Sequence, residues 1–237
     1  MLKAYKNAVT LVEVIMVLVL MSILIIPTID LMSSMMISQA DFVKNLQSKQ
    51  VKLNITERIT SGIREGSYIY PDSTSLTIPT MSSTTNVNIE DQAIAVLVPV
   101  FTSSGSVEYS NATGKTSFKG VAYSILPQST WNGGNSNKYV LVETIYNTQI
   151  STNSEDPLEL TGNATINWGS GTSYLLADNL EPANQTVMGT NAFDINNNII
   201  TFGFVPGGTA TYFPSSSGTN QLDDTPYVSS VVVQNTR

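Results

Sequence analysis

The chain has 237 residues, about one globular domain by length, and 12% of them are charged against a usual ~25%. It contains neither Cys nor His, which excludes disulfide scaffolds, thiol nucleophiles, Ser-His-Asp catalysis and the commonest metal ligands. Between residues 67 and 237, thirteen carboxylates stand against four basic side chains, so nucleic acid is an improbable partner, because phosphate backbones require a basic patch.

The sequence opens with a short basic segment, residues 1–8, that carries Lys3 and Lys6. Residues 9–29 follow with a single charge, Glu13, and as a helix they would cover about 30 Å, one hydrocarbon thickness. Basic residues that flank a membrane span tend to stay in the cytoplasm. The pattern therefore predicts a single-pass helix with its N-terminus inside and the remaining chain exported.

Two simpler interpretations of this segment are open. A cleaved secretory signal has a shorter apolar stretch and a small-x-small site, and the available site, Ser38-Gln39-Ala40, lies far from the charged start. A plain signal-anchor helix explains the hydrophobicity but leaves Glu13 unexplained.

Glu13 is the unusual residue of the apolar run. A carboxylate inside a membrane helix costs free energy, so its default interpretation is functional, with a cationic partner. A cut after Ala8 would create an amino group at Val9, which a neighbouring subunit could offer to Glu13 in lipid or in a dry filament core.

The hexamer Ala8-Val9-Thr10-Leu11-Val12-Glu13, followed by an unbroken apolar run, resembles the class III prepilin signal of type IV pilins and pseudopilins. The resemblance implies that prepilin peptidase cleaves between Ala8 and Val9 and that Val9 is then N-methylated. These two residues depart from the family's usual pattern, in which Gly precedes the cut and Phe follows it.

The same resemblance assigns roles along the helix. Glu13 becomes the family's glutamate at the fifth mature position, and Thr10, Leu11 and Glu13 belong to the assembly segment. Pro27 corresponds to the family's helix-kinking proline, since a proline removes a backbone hydrogen bond within a helix.

Residues 30–66 predict an amphipathic continuation of the helix. The segment contains no Pro, and an apolar residue recurs every fourth position at Val51, Ile55, Ile59 and Ile63. A wetter face is predicted for Lys44, Lys49, Lys52, Glu57, Arg58, Arg64 and Glu65. Gly66 is a credible end of the helix. A membrane helix followed by a separate juxtamembrane helix is the alternative.

Residues 67–237 are rich in Ser, Thr, Asn and Gly and predict a β-rich globular head. Predicted strands are 93–101, 121–126, 139–146, 165–168, 199–205, 210–213 and 228–233. Short strands at such spacing favour an antiparallel sheet packed on the helical stripe, so the predicted fold class is α+β and pilin-like. Motifs such as Tyr139-Val-Leu-Val-Glu143 resemble minor pilins and pseudopilins of the PilW and J-type subgroups.

The head offers no persuasive catalytic or metal motif. Asp194-Ile-Asn-Asn-Asn198 begins like a calcium loop, but Ile199 and Val205 stand where that loop requires Gly and Glu. The acidic pairs Glu155-Asp156 and Asp223-Asp224 predict solvated surface. We therefore expect no cofactor, no metal and no enzymatic activity.

These patterns together predict a structural subunit, a minor pilin or pseudopilin, of a type IV pilus-like filament. Expected partners are prepilin peptidase, other pilin subunits in a helical filament, membrane lipid before assembly, and the inner-membrane assembly platform and motor. The expected location is the cytoplasmic membrane first and an extracellular filament or the cell surface later.

Two other classes of protein remain open. One is a single-span membrane-anchored extracellular β-domain that binds a ligand or glycan without forming filaments. The other is a surface hydrolase, which requires two convergent carboxylates in a cleft.

Overall fold

A computed structural model describes residues 10–72, 74–134, 137–161, 164–180, 192–196, 199–204 and 227–232. The fold is mixed α+β, with a long N-terminal helix followed by antiparallel β-sheets, which confirms the predicted class. The chain divides into two compact units, one ending at Gln47 and the other beginning at Ser48. The predicted strand 210–213 lies outside the described residues.

Helix α1 is a single element, Leu11–Arg64, rather than two separate helices. Pro27 is the proline inside it, and Arg64 supplies a basic side chain in its last turn, where positive charge is favourable. The amide of Gly66 donates to the carbonyl of Ile63 at 3.0 Å and closes the helix end, as predicted. We call residues 11–47 of α1 the apolar half and residues 48–64 the packed half.

Eleven strands follow within the described ranges. In chain order they are β1 (Tyr68–Ile69), β2 (Ser75–Pro79), β3 (Thr84–Asn88), β4 (Ala93–Pro99), β5 (Tyr109–Ser110), β6 (Lys115–Pro127), β7 (Tyr139–Ser151), β8 (Thr172–Leu180), β9 (Phe193–Asn196), β10 (Ile199–Phe204) and β11 (Tyr227–Val232). A short helix α2 (Gln128–Asn132) joins β6 to β7, and a 3₁₀ turn, Trp168–Ser170, precedes β8.

The strands form a main sheet and two smaller ones in the part of the chain that the structure describes. The main sheet has the order β1-β4-β6-β7-β8, with β5 also paired to β6, and every pairing is antiparallel. Its centre is the long pairing of β6 with β7, in register from Lys115 opposite Ser151 to Pro127 opposite Tyr139. The others are the sheet β11-β10-β9 and the hairpin β2-β3.

Alternation along β6 gives the main sheet two apolar faces, because successive side chains of a strand point to opposite sides. Val121 and Tyr123 join the core cluster that contains Ile55, Ile59 and Ile63 of the packed half and the phenylalanines of β9 and β10. Ala122 and Leu126 join the cluster on the other face, where the hairpin β2-β3, Trp131 and Trp168 are buried. The predicted helical stripe is confirmed for the three isoleucines.

Two local predictions are wrong. Lys52 is buried rather than on the wetter face, because it lies three residues before Ile55 and so shares the face of the stripe. Residues 165–168 form no strand. Trp168 is buried and begins the 3₁₀ turn, so the side chain that suggested a strand is anchored in the core instead.

Candidate functional site

The start of α1 is a reciprocal capping arrangement between Thr10 and Glu13. The amide of Glu13 donates to the Thr10 hydroxyl oxygen at 3.4 Å, while the Thr10 amide donates to Glu13 Oε2 at 3.1 Å. The Thr10 hydroxyl also lies 3.2 Å from the same Oε2. This is the capping box of the Thr-x-x-Glu pattern, and it satisfies two amides that a helix start otherwise leaves without partners.

The apolar half leaves all its large apolar side chains exposed. Their exposed fractions run from 40% at Ile37 to 77% at Leu11. Leu11–Val43 is long and apolar enough to span a membrane; an 18-residue window within it has a mean hydropathy of 2.7, and none of that window is buried against the described residues. Exposed apolar side chains favour an apolar environment, and the described residues do not supply one to this half.

Three hydroxyl groups within the apolar half, those of Ser22, Thr28 and Ser34, donate to the helix backbone. Ser22 donates to the carbonyl of Leu18 at 2.6 Å, and Thr28 donates to that of Leu24 at 2.6 Å. Each of these hydroxyls therefore already has an acceptor within the helix, which lowers the cost of placing it in a nonpolar medium. Pro27 has no amide hydrogen to donate, and the helix continues through it; the expected kink stays a prediction.

The structure brings together the three predicted assembly residues, since Leu11 and Glu13 lie in the first turn of α1 and Thr10 directly precedes it. The predicted processing residues Ala8 and Val9 lie outside the described residues. Sequence reasoning missed the local role of Glu13 as a cap, although the Thr-x-x-Glu spacing before an apolar run was the available signal.

A second feature, which we call the helix–sheet clamp, consists of Arg58, Tyr123 and Glu143. Arg58 Nε donates to Glu143 Oε1 at 3.0 Å, and Arg58 Nη2 donates to Oε2 at 2.9 Å. The Tyr123 hydroxyl lies 3.0 Å from the Arg58 carbonyl oxygen and 3.2 Å from Glu143 Oε1. The clamp thus joins the packed half to β6 and β7 through a bidentate ion pair.

The electrostatics of the clamp follow from unequal burial. Glu143 is only 3% exposed, whereas the Arg58 side chain is 52% exposed. The hydrogen bond and the negative charge of Glu143 raise the pKa of Arg58. Burial, followed by the charge of Glu143, raises the pKa of Tyr123, which keeps its hydroxyl protonated as a donor.

Sequence reasoning left Arg58 on the wetter face without a partner. The available signal was Glu143 itself, a carboxylate that directly follows the buried apolar run Val140–Val142. A buried carboxylate requires a cation or several hydrogen-bond donors, but the sequence around Glu143 does not identify the cation that pairs with it. Among the described residues, no group of three or more Asp or Glu side chains is placed to hold a metal ion.

Comparison with known proteins assigns no relative. No protein-family model, curated protein or solved structure matches this chain. What characterises the helix is its own pattern: a capped start, an apolar half exposed on every side, and a packed half fastened to a sheet.

Proposed function

We propose that the chain is a structural subunit of a type IV pilus-like filament, a minor pilin or pseudopilin, that assembles through the apolar half of α1. The observation that carries the proposal is that this half exposes its apolar side chains all round while the packed half of the same helix belongs to a folded β head. Such a helix can be stored in a membrane and then bundled with others of its kind.

Lipid is the first environment proposed for the apolar half. Its length suits a bilayer, and Ser22, Thr28 and Ser34 all hydrogen-bond to backbone carbonyls of their own helix. A bundle of like helices offers surroundings of similar polarity, so extraction by a motor through the inner-membrane platform exchanges one apolar environment for another. The subunit would leave the cytoplasmic membrane for an extracellular filament.

Processing supplies the proposed partner of Glu13. Both hydrogen bonds that this carboxylate accepts reach Oε2, and among the described residues no bond is made to Oε1. Cleavage by prepilin peptidase after Ala8 creates an ammonium at Val9. In a dry filament core, the ammonium of a neighbouring subunit would neutralise the negative charge of Glu13. This pairing would set the register between the two subunits.

The experiment separates the charge of Glu13 from its cap. Glu13→Gln retains an acceptor for the capping box but loses the charge, whereas Thr10→Ala weakens the cap and keeps the charge. Asp30→Asn, which removes another of the three carboxylates of the membrane-length segment (Glu13, Asp30 and Asp41), is the matched control. We measure each variant in the membrane fraction and in fibres sheared from cells.

The proposal expects Glu13→Gln and Glu13→Ala to enter the membrane normally and to fall strongly in sheared fibres, while Thr10→Ala and Asp30→Asn assemble far better. Normal assembly of Glu13→Gln contradicts the register role. If the wild-type chain stays in the membrane fraction and never enters sheared fibres, the filament proposal fails and the membrane-anchored ectodomain takes its place.

A further inference from the structure

A cavity of about 330 Å³ opens beside the second core cluster of the head. Three aromatic residues line it, Tyr68, Tyr70 and Trp168, together with the hydroxyl side chains of Thr74, Ser75 and Thr165 and several aliphatic groups. None of the described lining residues is charged. Its volume is at the lower end of the range of small-molecule sites, ~300–1,000 Å³, which limits an occupant to about one small ring.

The aromatic walls are arranged by contacts between the rings. Tyr68 and Tyr70 meet edge to face with centroids 5.3 Å apart, and Tyr70 meets Trp168 edge to face at 5.7 Å. The backbone holds them in place, since the Tyr70 amide donates to the Ala95 carbonyl at 3.0 Å. The site is therefore built before any ligand arrives.

The Tyr70 hydroxyl is the feature that points to a ligand. Tyr70 is 4% exposed, and within the described chain its hydroxyl oxygen has no hydrogen-bond partner. A buried polar group without a partner destabilises the folded state, so a ligand that supplies the partner is favoured. Burial also raises the pKa of this phenol, so it stays a neutral donor. The oxygen is shielded from solvent, so a ligand in the cavity can pair with it only after a neighbouring side chain shifts.

We propose that this cavity binds one residue of an uncharged sugar, with Tyr70 as the hydrogen-bonding group and the aromatic walls as its apolar support. A pyranose has apolar C–H faces that can pack on the aromatic side chains. Its rim of hydroxyl groups can hydrogen-bond to the hydroxyl side chains that line the cavity. A charged ligand lacks a counter-ion here, and a hydrocarbon leaves Tyr70 unpaired. The inference concerns the head alone and does not depend on whether the apolar half builds a filament.

The experiment uses the full-length chain in a phosphocholine detergent, because maltoside detergents carry sugar. Methyl glucoside, methyl galactoside and N-acetylglucosamine are titrated as probes, with glucuronate and glucosamine as charged counterparts and cyclohexanol as an apolar ring. Saturation-transfer NMR reports binding to the wild type. The chain has two tryptophans, so fluorescence of Trp131→Phe reports Trp168 alone as a second measurement.

Two variants test the role of Tyr70. Tyr70→Phe removes only the hydroxyl and is expected to weaken binding of the preferred neutral sugar about fivefold or more, the loss of one hydrogen bond. Ser124→Ala is the matched control, since Ser124 carries the other buried hydroxyl that lacks a partner among the described residues and does not line the cavity. Its binding should equal that of the wild type.

Three results overturn the inference. The first is that no neutral sugar saturates the signal up to its solubility limit. The second is that Tyr70→Phe, folded with an unchanged melting temperature, binds as well as the wild type. The third is that a charged sugar or cyclohexanol binds more tightly than every neutral sugar, which would assign the cavity to another ligand class.

Discussion

The two halves of α1 belong to one continuous helix, yet they treat the same residue type in opposite ways. Ile25 in the apolar half is 51% exposed, whereas Ile59 in the packed half is 1% exposed. None of the large apolar side chains of the apolar half is buried against the described residues, while the packed half confines its isoleucines to one stripe that the sheet covers. The packed half is thus part of the folded head, whereas the exposed apolar half is the part that we propose meets an external partner.

The two halves also differ in where their polar side chains find hydrogen-bond partners. In the apolar half, the hydroxyls of Ser22 and Thr28 are satisfied within the helix. In the packed half, Arg58 reaches across to Glu143, a residue 85 positions away in the sequence. Because these hydroxyls of the apolar half bond within their own helix, they keep their hydrogen bonds when the environment of that half changes. The long-range bonds of Arg58 fix the packed half against the sheet.

The largest expected effect comes from truncating the same side chain in each half. Ile59→Ala should lower the free energy of unfolding of the head by about 2–5 kcal/mol, because it opens a cavity in a closed core. Ile25→Ala should change it by less than about 0.5 kcal/mol. Denaturant titration in detergent measures both, and equal losses in the two variants would break the distinction between the halves.

The next effect concerns the clamp. Arg58→Met should lower the free energy of unfolding by about 2–3 kcal/mol, because it leaves the Glu143 carboxylate without its cation. The expected loss is below the ~3–5 kcal/mol of a fully buried pair because Arg58 is half exposed. Arg64→Met, on the exposed last turn, is the control. The double variant Arg58→Met/Glu143→Leu should recover most of the loss; no recovery would show that the charge of Glu143 is not what matters.

Gly62 tests how closely the packed half approaches the sheet. A Cβ at this position would collide with the Tyr123 hydroxyl, which hydrogen bonds hold in place. Gly62→Ala should therefore destabilise the head by about 1–2 kcal/mol, although alanine favours a helix by ~1 kcal/mol over glycine. In a Tyr123→Phe background the same substitution should cost less, and an equal cost there would contradict the proposed collision.

The smallest expected effect is a pH dependence of the stability of the head, to which the packed half belongs. Glu90 of the head has a left-handed φ of 75°. Burial, and then the charges of Asp72, Asp194 and Asp91, raise the pKa of Glu90. The folded state thus holds this proton more tightly than the unfolded chain, so the head loses stability as the pH rises from about 4 through the raised pKa.

Glu90→Gln should accordingly stabilise the head at neutral pH and match the wild type below pH ~4. Thermal melts at both pH values provide the measurement. A constant difference at the two values would show that the charge of Glu90 is not involved.

The sequence predicted those features that depend on neighbouring residues. The long helix and the stripe of Ile55, Ile59 and Ile63 were predictable because their spacing repeats every four positions. The hairpin β2-β3 was missed because it lies in a polar stretch, although Leu76 and Ile78 alternate as strand residues do. The Thr10–Glu13 cap was predictable from spacing and was overlooked in favour of a distant partner.

Features that depend on residues far apart in the sequence could not be predicted from the sequence alone. The pairing of Arg58 with Glu143 and the meeting of Tyr70 with Trp168 arise only when the sheet brings separate segments together. Trp168 was assigned to a strand because bulky aromatic residues favour strands, while its actual position is set by burial in the core. Tertiary packing, rather than local preference, decides such positions.

Mass spectrometry of the N-terminal peptide from sheared fibres tests most directly the claim that the apolar half serves filament assembly. The account predicts that the chain recovered from fibres begins at Val9 and carries one methyl group on that residue. A chain that begins at Met1, or at Asp41 after removal of the whole apolar run, would contradict it.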